Sequence, residues 1–316
     1  MAHPALTPEG LRLCREMIAP HVHRTPVLRS RLLDQLSGAR LSFKCENFQR
    51  GGSYKIRGAT HALLQLQAQG DVPAVVTHSS GNFAQALSLA AHSLGIPAHI
   101  VMPTNAPAVK REGVRTYGGI ITECAPTLEA REAAAEQIAR ETGALFIHPS
   151  NDPMVMLGQG SACAELLEEV PGLDCVVAPV GGGGLLGGTA LATAFMAPGC
   201  EPVGGEPFAV DDAYRSLQSG KIEGNTGGYT VADGLRTVLG SHTFPVIQKH
   251  VRTIIRVEEG EIVAAMRLVW ERMKIVIEPS SAVAFAAVLK SPERFAGLQT
   301  GILVSGGNVD LGNLPF

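Results

Sequence analysis

Charge is scarce in this 316-residue chain: Asp, Glu, Lys and Arg make up 17% of it, and the formal net charge is −3. No run of lysines and arginines appears, which argues against nucleic acid or an acidic membrane surface as a partner. Six cysteines (Cys14, Cys45, Cys124, Cys163, Cys175 and Cys200) are scattered, with no C-x-x-C pair and no His-x-x-x-His arrangement. A zinc framework or a disulfide scaffold is therefore not expected, and reduced thiols in a cytoplasmic protein are. No uninterrupted apolar run approaches the ~20 residues that span a bilayer, and the N-terminus lacks the basic and apolar blocks of a secretory signal. Internal repeats and low-complexity linkers are missing as well. What remains is a chain that is 45% hydrophobic, with ample material for the cores of two domains.

The middle of the chain alternates strand-like and helix-like stretches. Ala74 to Thr77 is a short apolar run, and Ala84 to Leu94 then reads as a helix stopped by Gly95 and Pro97. Ala98 to Met102 is the next strand, Ala108 to Tyr117 the next helix, and Ile120 to Thr122 another strand. Thr127 to Thr142, rich in alanine and glutamate and closed by Gly143, is a strong helix. A second series runs from the buried-strand pattern Cys175 to Val180 through Glu201 to Glu206 and ends at Gly301 to Val304. This rhythm predicts an α/β fold of two lobes, each with a largely parallel twisted sheet flanked by helices. The smaller lobe is expected over 72–149, and the larger over 1–71 and 150–316.

Ligands of parallel α/β sheets sit beyond the carboxyl ends of the strands, and the polar glycine-rich segments fall at such ends. Gly181 to Gly184 follow an apolar strand and precede a helix, so their bare amides suit a phosphate; a flexible turn is the plain alternative. Gly182, Gly184 and Gly187 also satisfy G-x-G-x-x-G with Glu206 further on, which leaves a nicotinamide oxidoreductase open. A P-loop is excluded, because no Gly-Lys-Ser/Thr follows. Ser79-Ser80-Gly81-Asn82 offers hydroxyls and amides for a carboxylate, or simply caps a helix. Lys55, on the turn Arg50 to Gly58, is either a surface lysine beside Arg57 or an amine held against a bound group, where desolvation makes it a nucleophile towards aldehydes.

Taken in order, Ser53-Tyr54-Lys55-Ile56-Arg57-Gly58, Ser79-Ser80-Gly81-Asn82, Gly181 to Gly184 and Ser305-Gly306-Gly307-Asn308 resemble the fold-type II (tryptophan synthase β-like) family of pyridoxal-phosphate enzymes. The likeness extends through Ala232-Asp233-Gly234, Trp270 to Lys274 and Ile277-Glu278-Pro279, and is greatest to the serine racemase, serine/threonine dehydratase and 3-hydroxyaspartate dehydratase branch. It implies a cleft between the lobes in which Lys55 bonds to the cofactor aldehyde and then serves as a base. Tyr54 would lie near the pyridine ring, Asn82 would hydrogen-bond its hydroxyl, and Gly181, Gly182, Gly183 and Gly184 with Leu185 would wrap the phosphate. Ser305 would face the pyridine nitrogen; a neutral hydroxyl there weakens the electron sink and favours loss of a β-substituent.

The same resemblance seats an amino-acid substrate on Ser79, Ser80, Gly81, Asn82 and Phe83, with Ser80 as a second acid–base group or as a passive carboxylate ligand. Arg131 would bind a second substrate carboxylate, unless it belongs to ion pairs on a helix surface. Glu206, the Val210 carbonyl and Asp212 would hold Mg²⁺, Mn²⁺ or Ca²⁺, where an isolated acidic turn would otherwise only be solvated. The implied activity is conversion of serine, threonine or 3-hydroxyaspartate to a 2-oxo acid and ammonia, with racemisation as a second activity or the main one, in a homodimer. A non-catalytic amino-acid sensor on the same fold is the rival from another class. Two departures from the family pattern stand out: Phe83 replaces a usual histidine, and Ser280-Ser281-Ala282 follows Pro279. The chain ends nine residues after Gly307, so the C-terminal regulatory domain of biosynthetic threonine deaminases is not expected.

Overall fold

The computed structural model describes residues 3–106 and 108–316. Two sheets organise them. The larger runs in the order β1 (Val27–Leu28), β2 (Arg40–Cys45), β10 (Gln299–Val304), β7 (Cys175–Pro179), β8 (Glu201–Pro207) and β9 (Thr253–Val257). Only the short β1 runs antiparallel to its neighbour; the other pairings are parallel. The smaller sheet is parallel throughout, in the order β5 (Ile120–Cys124), β4 (Ala98–Pro103), β3 (Val75–His78) and β6 (Leu145–Phe146).

Parallel strands joined by crossover helices are covered on both faces, and the burial pattern shows it. Val176 and Val177 are adjacent and both inaccessible, yet they enter different cores. Val176 packs with α7 (Pro153–Glu169) and α8 (Gly184–Met196), and Val177 with α12 (Pro279–Lys290). The small sheet repeats the arrangement: Val75 faces α3 (Lys55–Gln69) and α4 (Asn82–Ser93), and Val76 faces α6 (Leu128–Thr142). All six cysteines are unpaired thiols. No helix among the described residues is long and apolar enough to cross a membrane.

Helix starts differ in a way that locates the site. α1 (Pro8–Ile18), α2 (Arg31–Ser37), α6 and α7 are each capped by the side chain before them: Thr7, Ser30, Thr127 and Asp152. α3, α4, α8 and α12 begin without any side-chain cap, after Tyr54, Gly81, Gly183 and Glu278. An uncapped helix start leaves amide hydrogens and the positive end of the helix dipole for something else.

Candidate active site

Those four bare helix starts are tied to one another by short contacts. The amide of Tyr54, just before α3, donates to Ser305 O at 3.0 Å, and Ser53 bridges to Gly306, so α3 begins against the end of β10. Lys55 Nζ donates to Pro149 O at 3.2 Å. The next residue, Ser150, borders the glycine turn before α8, where its Oγ would obstruct a Cβ on Gly182. Across the cleft, Asn82 at the start of α4 donates through Nδ2 to Glu278 at the start of α12, at 2.8 and 3.0 Å.

The glycine turn is a cradle that tolerates no side chain. Gly183 has φ +83°, and a Cβ there would stand 2.7 Å from Leu239 Cδ2 and 2.8 Å from Thr243 Cβ. Glycine is therefore required for conformation and for space, and its backbone amides stay bare. Leu185 is buried behind the turn. An uncovered helix start on a glycine turn fits a phosphate monoester.

Lys55 is half-buried, and its amine lies 5.1 Å from the centre of the Tyr54 ring and 5.9 Å from that of Phe83. No carboxylate pairs with it among the described residues; its acceptor is a carbonyl, which leaves the nitrogen free to bond elsewhere. The reading of Lys55 as a surface residue beside Arg57 is corrected. Arg57 is 0% exposed and fills a buried network with Glu46 and Glu165, at 2.7 Å to each. Ser305 is buried, with its hydroxyl 3.0 Å from Ser281 Oγ.

In the Ser79–Phe83 loop, neither Ser80 nor Asn82 caps α4, which removes the helix-capping reading of this segment. Phe83 is buried at 2% exposure and packs into the core between α3 and α4. At this position the chain thus carries core packing where a histidine would put a polar ring. Arg131 forms no ion pair among the described residues, so the helix-surface salt-bridge reading falls away. Its Nε donates to Thr127 O at 3.2 Å, and its positive charge bears on His78, the last residue of β3. Burial and then that charge keep His78 below its ordinary pKa.

Sequence reasoning overlooked two groups here. His148 accepts through Nδ1 from the amides of Ser150 and Asn151 at 3.1 and 2.8 Å, which fixes the tautomer with hydrogen on Nε2. Burial, with the nearby His78, Lys55 and His242, lowers its pKa to about 4, so it stays neutral. Glu278 was quoted only as part of a motif; its carboxyl lies under Asn82, and burial raises its pKa to about 7. No periodicity marks either residue, because each is aimed by a loop.

The acidic turn after β8 is separate. Glu206 is inaccessible, and its carboxylate accepts from the amides of Ala213 and Tyr214, at 2.8 Å each, in α9 (Asp212–Ser219). A ribose could not reach it, which disposes of Glu206 as the acid of a nicotinamide-binding motif. Burial raises Glu206 well above the usual carboxylate range and Asp212 to about 6. Asp212 Oδ2 accepts from Leu239 N at 3.2 Å, whereas its buried Oδ1 has no partner. Val210, buried, ends the 3-10 turn between them. No group of three or more His, Cys, Asp or Glu side chains is placed to hold a metal ion among the described residues. Two carboxylates with an orphaned oxygen nevertheless fit a hard cation completed by carbonyls and water.

Lys55 and the glycine turn thus stand on neighbouring loops, joined through Pro149 and Ser150. Residues 18–306 match the family model described as "Pyridoxal-phosphate dependent enzyme". The chain belongs to this family. It is 48% identical to the beta-hydroxyaspartate dehydratase of Paracoccus denitrificans, over 98% of each chain. It is 44% identical to the L-threo-3-hydroxyaspartate ammonia-lyase of Saccharomyces cerevisiae, over 93% of this chain and 90% of the other. The structure of maize serine racemase superposes with a TM-score of 0.94 at 43% identity, covering 98% of this chain and 95% of that one.

Proposed function

We propose that the protein is a pyridoxal-phosphate-dependent dehydratase that converts a β-hydroxy-α-amino acid, foremost 3-hydroxyaspartate, to a 2-oxo acid and ammonia. What supports this reading is the place of Arg131, without an ion pair among the described residues, on the helix that packs against β3 just before the Ser79–Phe83 loop, in a chain 48% identical to a beta-hydroxyaspartate dehydratase. Serine and threonine lack the second carboxylate that such a charge would bind bidentately.

The residues fit the cofactor. Gly181 to Gly184 and the bare start of α8 would hold its phosphate, Lys55 its aldehyde carbon, and Tyr54, Asn82 and Ser305 would border its ring. Bound there, pyridoxal phosphate withdraws electrons from the substrate Cα and makes its proton removable. Once the substrate's amine has replaced it on the aldehyde carbon, Lys55 would be a free amine able to take that proton at Nζ, which lies 5.9 Å from the centre of the Phe83 ring at the start of α4, where the substrate carboxylate would rest on Ser80 and Gly81. The β-hydroxyl leaves with a proton as water, and the enamine that remains hydrolyses to the 2-oxo acid and ammonia. Ser80 has an uncommitted hydroxyl and is the candidate for returning a proton to Cα. That step would make the chain a racemase, a reading favoured by its likeness to maize serine racemase.

In the same reading, residues 72–149 form the smaller lobe and the remainder the cofactor-holding lobe. A divalent cation (Mg²⁺, Mn²⁺ or Ca²⁺) sits at Glu206, the Val210 carbonyl and Asp212, and two copies associate as a homodimer. The test is release of 2-oxo acid from the threo and erythro isomers of 3-hydroxyaspartate, L-serine, D-serine and L-threonine. Release is expected mainly from a hydroxyaspartate and is lost, at least a thousandfold, in Lys55→Ala, on the order of what removing a covalent catalytic group costs. Release mainly from serine or threonine would overturn the substrate assignment.

A further inference from the structure

Glu278 opens α12, a position from which an acid ordinarily turns back to cap its own helix. It does not do so. Both of its oxygens accept from Asn82 Nδ2 instead, at 2.8 and 3.0 Å. Asn82 Oδ1 accepts in turn from Asn308 Nδ2 at 3.1 Å, and Asn308 Nδ2 also donates to Gly51 O at 2.8 Å. This chain of contacts fixes which way the Asn82 amide faces. Turned over, its oxygen would meet a carboxylate and its NH₂ another NH₂. The two oxygens of one carboxylate subtend too narrow an angle at Nδ2 to draw one hydrogen each. One amide hydrogen therefore serves both, and the second is left to the cleft.

We propose that Glu278 is a positioning residue: through Asn82 it aims that second amide hydrogen into the cleft beside Lys55, and its ionisation sets how firmly the amide is held. The inference rests on the cofactor reading of the cleft, and not on which hydroxy amino acid is the substrate. An ionised carboxylate makes a charge-assisted bond to Asn82. A protonated one accepts only as a neutral oxygen, and Asn82 Nδ2 cannot take its hydrogen. The charged groups that face it are Lys55 from α3, Lys110 from α5 (Ala108–Thr116) and Asp233 from the 3-10 turn Asp233–Leu235. Lys110 and Asp233 pair with each other and largely cancel. Burial then outweighs Asn82 and the lysines and raises the carboxyl from 4.5 to about 7. A raised carboxylate contributes stability that is present below pH 4.5 and lost as pH climbs through about 7.

Glu278→Gln keeps the size and an acceptor for Asn82 but cannot ionise. In cofactor-free protein, the wild-type Tm is expected to fall as pH rises from 4.5 to about 7, and the fall to shrink in Glu278→Gln. With pyridoxal phosphate bound and no substrate present, the visible absorption of the wild type is expected to titrate in that window, and that step to vanish in Glu278→Gln. In an Asn82→Ala background, Glu278→Gln should change the spectrum no further. Identical spectral titrations in wild type and Glu278→Gln would overturn the proposal, as would a full Glu278→Gln effect without Asn82. Should Glu278→Gln not fold, Glu278→Asp keeps the charge but withdraws it by one methylene; a weakened spectral step is expected, and an unchanged one counts against positioning. None of these readouts uses substrate, so failure of the hydroxyaspartate assignment would leave them standing.

Discussion

Arg131 sits half-buried on α6, in a sequence setting of glutamates that suggests a solvated helix face. In the structure it pairs with none of those glutamates among the described residues. Its guanidinium donates to Thr127 O, in the first turn of its own helix, and its charge is felt at His78. A residue argued to bind a second carboxylate must discriminate between substrates, because serine offers it nothing. Arg131→Leu should therefore raise KM for 3-hydroxyaspartate about ten- to a hundredfold, which is what losing a charge-assisted hydrogen bond of roughly 1.5–3 kcal/mol implies, while KM for serine barely moves. Steady-state kinetics on both substrates decides it, and an equal loss on both would reduce Arg131 to a structural role. Residue identities at the cleft were legible where backbone chemistry demands them: the bare glycines and the lysine between Tyr54 and Ile56. Glu278 and His148 were not, since an acid before a proline and a histidine after a strand are common and only tertiary contact sets their roles.

At the scale of elements, some helices are capped by a side chain and others are not, and four of the uncapped ones, α3, α4, α8 and α12, meet. That contrast was only half visible beforehand. Thr127 reads as the first residue of a helix and is in fact its cap, whereas Asn82 reads as a cap and instead forms the first residue of α4. The elements themselves were easier to find, because alternating apolar runs and alanine-rich stretches carry their own periods. What sequence could not show is how α3 is anchored. Arg57, two residues after Lys55, reaches Glu46 beyond β2 and Glu165 on α7, and Lys44 on β2 pairs with Glu165 at 2.7 Å. Two cations and two carboxylates thus neutralise one another in the interior. Burial alone would raise Glu165, but Arg57 and Lys44 together hold it below its ordinary value. Arg57→Met would strand Glu46 beside a group that cannot pair with it, and breaking such a buried pair costs about 3–5 kcal/mol. Chemical denaturation should show that loss in the midpoint, and α3, which carries Lys55, should lose amide protection first. A loss under 1 kcal/mol would mean that the network contributes little beyond filling space.

For the molecule as a whole, the question is what holds the two sheets and the glycine turn in register. Between the sheets, Asn82 reaches Glu278 and Lys110 pairs with Asp233. Behind the glycine turn the support is more indirect. Asp212 Oδ2 holds the amide of Leu239, and Leu239, with Thr243, walls Gly183. A cation taken up by Glu206, the Val210 carbonyl and Asp212 would relieve two neighbouring buried carboxylates that burial holds above their ordinary range and would brace that wall, without touching the reacting atoms. Chelator-stripped protein should therefore gain stability when Mg²⁺, Mn²⁺ or Ca²⁺ is added, by about 2.7 kcal/mol at a hundredfold excess over Kd. Asp212→Asn should abolish the gain, and Lys55→Ala should keep it in full, because the two sites share no residue. Pyridoxal phosphate affinity should rise with the same cation if Leu239 transmits the effect, so thermal melts and cofactor titrations are read on the same samples. A Tm indifferent to all three ions would leave Asp212 Oδ1 as a buried oxygen awaiting only water, and the glycine turn would then owe its shape to packing alone.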